Sequence, residues 1–131
     1  MSTIMDPINK FYQVYNQNNL DLWNDAMAET YVGHVNTDTI PNRDVGKGFV
    51  RLLLQAFPNM HYTVEDQIIQ GDKVVCRWSA TATHTGDFFG MPPTNKTVKM
   101  IGITIFHVKD GKIAELWDVW DQAGFMKKLT S

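Results

Sequence analysis

The chain has 131 residues, is 44% hydrophobic and 20% charged, and sets 12 Lys and Arg against 14 Asp and Glu. That length suits one domain with a real core, residues 1–131, and the near-neutral charge offers no basic surface for nucleic acid and no polybasic run for an anionic membrane. The one cysteine, Cys76, cannot close an internal disulfide, residues 1–7 lack a secretory-signal pattern and no apolar run spans a bilayer, so the expected compartment is the cytoplasm.

In chain order, Asp6 and Pro7 read as an N-cap and a first helical residue, followed by Ile8, Phe11, Tyr12 and Tyr15 at helical spacing. The Asn-rich run 16–19 ends that helix. Leu20, Trp23, Ala26 and Met27 mark a short second helix, residues 31–35 a short strand, and residues 36–46 a polar loop containing Pro41. Residues 49–57 read as a third helix, stopped by Pro58. The signals then switch. Residues 61–69 alternate loosely, Gly71-Asp72 is a turn, and residues 74–84 are rich in strand formers. Residues 86–94, with Gly90-Met91-Pro92-Pro93, form a connection without regular structure. Residues 98–108 are a β-branched strand, turned by Asp110-Gly111 into a last strand over 112–121. Residues 123–129 form a closing helical turn. Helices first and antiparallel strands second predict an α+β fold, with the helices on one face of a curved sheet.

The last hairpin decides which residues share a face. A three-residue loop over 109–111 pairs Val108 with Lys112 and sets Gly102 opposite Asp118. Alternation then puts Thr104, Phe106, Ala114, Leu116, Asp118 and Trp120 on one face. Ile101, Ile103, Ile105, Ile113, Trp117 and Val119 fall on the other. A two-residue turn slips the register by one and sets Asp118 opposite Ile103. Both faces are apolar, so both need cover. The helices cover one, and a second subunit is expected on the other.

Four Trp, four Tyr, seven Phe and seven Met suit either a well-filled core or a pocket for a flat apolar ligand. His34, His61, His84 and His107 lack paired metal-ligand spacing, and no cysteine cluster accompanies them. Gly46-Lys47-Gly48 lacks the phosphate-loop ending, no serine-hydrolase elbow is present, and Cys76 lies mid-strand as a small core residue. What remains is acid–base chemistry in Trp117-Asp118-Val119-Trp120-Asp121. Aspartate is a poor strand former, and an ionised carboxylate among indoles is costly unless paired, hydrated or used. Apolar surroundings raise its pKa and suit it to proton exchange near neutrality. An exposed position, or pairing with Arg77, explains Asp118 equally well. Asp121 reads as a cap for the following turn. His34, beside the loop after its strand, is a candidate to hold a substrate oxygen or orient a carboxylate, or else a surface residue. His84, where a strand meets Gly86, is either a ligand contact or a hydrogen-bonded core histidine. His107 is expected to be exposed near the hairpin tip.

Thr83-His84-Thr85-Gly86, Gly90-Met91-Pro92-Pro93-Thr94, Val108-Lys109-Asp110-Gly111-Lys112-Ile113 and Trp117-Asp118 together resemble the SnoaL-like polyketide cyclase family. The likeness runs over residues 71–129 and extends more loosely through the aromatic first helix, residues 31–34 and the Phe49 helix. It implies a cone-shaped α+β fold, shared with nuclear transport factor two, ketosteroid isomerase and scytalone dehydratase. In that fold a curved antiparallel sheet packs on three N-terminal helices and encloses a pocket. It further implies homodimers or tetramers built through the outer sheet face. The chemistry it implies is aldol ring closure of a small hydrophobic carbonyl compound, without metal or cofactor, with the catalytic aspartate at Asp118. Aromatic-polyketide cyclases of the family carry Gln and His on the strand opposite that aspartate. Gly102 and Thr104 occupy those positions here, so donors to an enolate are either absent or come from elsewhere, for instance from His34, His84 or Tyr12. Asp118, His34 and His84 are thus the candidate catalytic residues, and Tyr12, Trp78, Thr104, Phe106, Leu116 and Trp120 the candidate pocket lining. The alternatives are an isomerase or dehydratase using the same aspartate, and a non-catalytic ligand-binding or dimerisation module.

Overall fold

A computed structural model of the chain describes residues 3–131. Met1 and Ser2, part of the stretch read for a secretory signal, lie outside them. The first helix, α1 (Met5–Asn16), begins before Asp6, and no side chain caps its N-cap residue Ile4. Asp6 instead reaches back and accepts hydrogen bonds from Thr3 N (2.9 Å) and Thr3 Oγ1 (3.0 Å). An N-cap is worth about 1 kcal/mol, whereas fully burying one large apolar side chain contributes about 1.5–3 kcal/mol. The buried stripe of Ile8, Phe11, Tyr12, Val14 and Tyr15 therefore holds α1 in place more than its ends do.

A short helix, α2 (Leu22–Ala26), runs directly into strand β1 (Met27–Val35), which is longer than residues 31–35 alone suggest. Asn36 then turns the chain with φ 52° into a short strand, β2 (Asp38–Ile40), inside the expected polar loop. The third helix, α3 (Arg43–Ala56), starts at an Asn42 cap that accepts from Val45 N at 2.9 Å. That cap lies well ahead of the apolar run used to place the helix from sequence. Strands β3 (His61–Gln70), β4 (Lys73–Thr83), β5 (Thr97–Lys109) and β6 (Lys112–Trp120) follow. Helix α4 (Gln122–Thr130) closes the chain, and Asp121 caps it by accepting from Gly124 N at 2.9 Å.

The six strands form one curved open sheet in the order β2-β1-β6-β5-β4-β3. The α+β expectation holds: α1, α2 and α3 are the three N-terminal helices, and α4 stands where residues 123–129 predict a closing helical turn. One correction applies: the sheet is mixed, because β1 pairs parallel with β6. A parallel pair needs a long crossover, and everything from β2 to β5 supplies it. The helices cover one face, where Val74, Cys76, Trp78, Ala80, Met100, Phe106 and Leu116 are buried.

The β5–β6 register differs from both readings of the turn. Asp110 (φ 53°) and Gly111 (φ 76°) form a two-residue turn that pairs Lys109 with Lys112. A bulge between His107 and Val108 then shifts the register once more, so Thr104 stands opposite Asp118 and Gly102 opposite Trp120. Two one-residue shifts restore the original alternation beyond the bulge. Thr104, Phe106, Leu116, Asp118 and Trp120 do share the helix-covered face. On the hairpin side of the bulge the assignment inverts: Ile113 pairs with Val108 and is fully buried, not on the outer face.

Candidate functional site

Between the sheet, α3 and α4 lies a cavity of about 490 Å³. Its wall is largely aromatic and thioether: Phe49, Tyr62, Trp78, Phe88, Phe89, Trp120, Phe125, Met60, Met91, Met100 and Met126 all contribute. Asp118 enters from β6. Val35 of β1 lies directly beside it in the parallel pairing and also lines the cavity.

A carboxylate with so little water around it needs a partner, and Asp118 has one from the neighbouring strand. Thr104 Oγ1 donates to Asp118 Oδ1 at 2.7 Å. The same oxygen accepts from Trp78 Nε1 at 2.9 Å. Because the indole occupies a lone pair of the hydroxyl, the single Thr104 proton is directed to Asp118. Burial pushes the Asp118 pKa up from 3.8 to about 6, and the Thr104 and Trp78 donors hold it from rising further. Arg77 stands opposite Ile103 on the other face, so the alternative of an Asp118–Arg77 pair does not form.

Gly102 makes this arrangement possible. A Cβ there would overlap the Trp78 indole and lie 2.8 Å from Trp120 Cβ. With no side chain at 102, the indole can lie across β5, and its N–H reaches Thr104. The backbone of the Asp118 segment is fixed by Asn36, whose N–H donates to Asp118 O (2.8 Å) and whose Oδ1 accepts from Trp120 N (3.0 Å).

Of the residues expected at the site, Asp118, Trp78 and Trp120 line the cavity and Thr104 stands directly behind Asp118. Tyr12, Phe106 and Leu116 are placed differently from expectation. They are buried in the core and do not line the cavity: Phe106 packs edge-on against Phe11 (5.2 Å) and the Tyr12 hydroxyl is enclosed near Cys76. Face alternation identifies which side of the sheet a residue takes, but not its depth beneath α1.

His34 is also displaced from the expected place. It pairs in register with Trp117, stacks on that indole at 5.6 Å, and its Nε2 lies 2.6 Å from Glu115 Oε2, all away from the cavity. Its neighbour Val35 takes the inward position instead. His84 is fully buried behind the mouth loop against Phe57 (5.2 Å), and its Nδ1 accepts from Thr94 N at 3.2 Å. It is a core histidine by position, and it does not line the cavity. His107 bonds Asp72 Oδ2 through Nε2 at 2.8 Å near the hairpin tips.

Most of the lining residues, Tyr15 and Tyr62 among them, were not singled out from the sequence. Tyr15 and Tyr62 face the cavity with ring centroids 4.8 Å apart, and Tyr62 lies 4.8 Å from Trp78. Burial, with the nearby Asp118 charge, drives both phenol pKa values well above 10, so both remain O–H donors at neutral pH. Tyr15 sits at helical spacing with Phe11 and reads as core. Tyr62 comes from the edge strand β3 through curvature that no local pattern shows. The mouth is rimmed by a two-residue turn at Phe89 (φ 48°) and Gly90 (φ 87°), bridged by Phe88 and Met91. Among the described residues no cluster of three or more His, Cys, Asp and Glu could hold a metal, and no helix is long and apolar enough to cross a membrane.

No curated protein matches the chain. IdmH of Streptomyces antibioticus, named a candidate polyketide cyclase, is 27% identical over 99% of this chain and 100% of its own, with TM-score 0.83. A candidate polyketide cyclase of Acidithiobacillus ferrooxidans is 26% identical over 98% and 95% of the two chains, with TM-score 0.85. AclR of Streptomyces galilaeus, named a candidate hydroxylase, is 24% identical over 97% of this chain and 80% of its own, and at TM-score 0.86 it shares the fold. That fold is the one typified by nuclear transport factor two. The family profile described as SnoaL-like polyketide cyclase matches residues 7–129, the whole frame from α1 to α4, and the chain belongs to that family.

Proposed function

We propose that the protein is a cofactor-independent enzyme that moves protons at a carbon next to a carbonyl, with Asp118 as general base and then general acid. The observation that carries this reading is the Thr104–Asp118 pair at the cavity wall, with a carboxyl pKa of about 6. Such a group is mostly ionised at pH 7, yet far more basic than an ordinary aspartate, which suits both halves of a proton transfer. Thr104 ties up Oδ1, so Oδ2 is the oxygen that would take the proton.

The reaction that suits the family is intramolecular aldol closure. Asp118 removes a proton α to one carbonyl, the enolate carbon attacks a second carbonyl of the same molecule, and the new alkoxide takes the proton back. A proton leaves carbon and returns to oxygen, so no redox partner is required. The hydroxyls of Tyr15 and Tyr62, residues of the cavity wall, would donate to the enolate or alkoxide oxygen, in place of the Gln and His that Gly102 and Thr104 replace. The aromatic wall would hold the flexible substrate folded, and that placement supplies much of the acceleration. We assign the outer sheet face to a homodimer or higher assembly. Ile68, Ile101 and Val119 are 61%, 59% and 65% exposed, large apolar side chains left open on one face of the sheet.

Hydrogen–deuterium exchange tests the proton-transfer step without the natural substrate. An apolar methyl ketone such as 2-acetylnaphthalene should exchange its methyl protons faster in D₂O with the protein, and Asp118→Asn should return the rate to background. Equal exchange by wild type and variant contradicts the assignment.

A further inference from the structure

The cavity contains an electrostatic asymmetry that the proposed proton transfer does not use. Its wall has two carboxylates, Asp118 and Asp38, and no Lys, Arg or His. Both are aligned by the sheet: Val35 pairs with Asp118 on one side and with Asp38 on the other. Directly paired residues point to the same face, and two strand spacings separate the outer pair by roughly 9–10 Å. Asp118 is the inner, half-buried end. Asp38 is exposed at the mouth, with Phe49 and Phe89 also on the rim, and has no ion-pair partner among the described residues.

We infer that the ligand carries no negative charge and places a cationic amine at Asp38 while its carbonyl lies at Asp118; this rests on the reading of the cavity as a carbonyl-ligand site. An anionic group on such a ligand would find no counter-charge on the wall and would meet a carboxylate at either end. An ammonium group at the mouth gains the Asp38 charge and the faces of the rim phenyl rings, and remains partly hydrated there. A free carboxylic acid is therefore excluded by charge, and the same acid masked as an ester or amide is admitted.

The test uses 2-acetylnaphthalene bearing at position 6 an aminomethyl, a methyl or a carboxylate group. Binding is read by quenching of the Trp fluorescence, since Trp78 and Trp120 line the cavity. The aminomethyl probe should bind about fivefold more tightly than the methyl probe, the scale of a part-exposed ion pair. The carboxylate probe should bind at least tenfold more weakly than the methyl probe. Asp38→Asn should erase the aminomethyl advantage, and Asp38→Lys should place the carboxylate probe above the aminomethyl one. Asp44→Asn, an exposed acid of α3 away from the cavity wall, should leave the ranking as in wild type. Binding of all three probes with equal affinity, or a ranking indifferent to both Asp38 variants, overturns the inference while leaving the carbonyl-ligand reading intact. Failure of all three to bind overturns that reading and this inference with it.

Discussion

The two faces of the sheet start from nearly the same material. On β5 the inward residues are Val98, Met100, Thr104 and Phe106, and the outward ones are Ile101, Ile103 and Ile105. The helices cover the inward set and leave a cavity whose inner wall carries Asp118. The outward set is left open beside the charges of Arg77, Glu65 and Lys99, around a shallow groove of about 690 Å³. Apolar character alone does not separate the two faces. What separates them is where polar groups are placed. On the inner face Asp118, Thr104 and Trp78 form one connected chain of hydrogen bonds, whereas on the outer face polar side chains are interspersed among the isoleucines: Arg77 stands opposite Ile103, and Ser79, opposite Ile101, donates from Oγ to Glu65 Oε1 at 2.6 Å.

The comparison breaks most sharply if the inner carboxylate is removed. Asp118→Asn should lower turnover by about 10²–10⁴, the usual contribution of a positioned acid–base group. The same variant should be more stable than wild type near neutral pH. Below about pH 3 Asp118 is protonated in both folded and unfolded chains and costs almost nothing. Between about pH 3 and about 6 the unfolded chain ionises first, so wild-type stability falls as pH rises. Above that window the cost is complete, about 3 kcal/mol at 1.36 kcal/mol per pKa unit. Urea unfolding should therefore show the variant's advantage growing from almost nothing at pH 3 to as much as that at pH 7.5. A full advantage already present at pH 3 would place its origin elsewhere.

Gly102→Ala should cost about 1–3 kcal/mol through overpacking against Trp78 and Trp120. It should also disturb the near-ultraviolet dichroism of those indoles. Thr104→Val removes the hydrogen bond that holds the Asp118 pKa down, so the apparent pKa of turnover should rise by about one unit, and Thr104→Ser should restore it. The smallest effect on the fold belongs to the outer face. Ile101→Lys with Val119→Lys should change unfolding free energy by only about 0.5 kcal/mol per exposed site, yet should abolish assembly measured by sedimentation. A protein whose assembly ignores both lysines does not use this face.

Much of this was legible in the chain. Alternation through Ile103 to Phe106 and the Asp-Gly turn set strands, hairpin and faces, and the Trp117-Asp118 pair marked the carboxylate. Asp121 could be read as a cap because its neighbours change from strand formers to helix formers just after it. The bulge near Val108 was not legible, since an extra residue in one strand leaves no mark in composition, and it moved Thr104 rather than Gly102 opposite Asp118. Gly102 looked like a missing catalytic side chain when read along the strand. Across the strands it is the space occupied by the Trp78 indole. Tyr15 and Tyr62 were missed because aromatic residues on a helix and an edge strand look the same whether they fill a core or line a cavity. His34 was misplaced because β1 joins the sheet in parallel with β6, a pairing that residues 31–35 alone do not reveal.

All of these readings meet in the protonation of one side chain. Aspartate labelled with ¹³C at the carboxyl carbon, followed by nuclear magnetic resonance from pH 3 to 8, observes it directly. One carboxyl resonance should titrate near pH 6 and be missing from Asp118→Asn. If the resonance lost in that variant titrates below about 4.5, as an ordinary hydrated aspartate does, then Asp118 is not the dehydrated acid–base group described here.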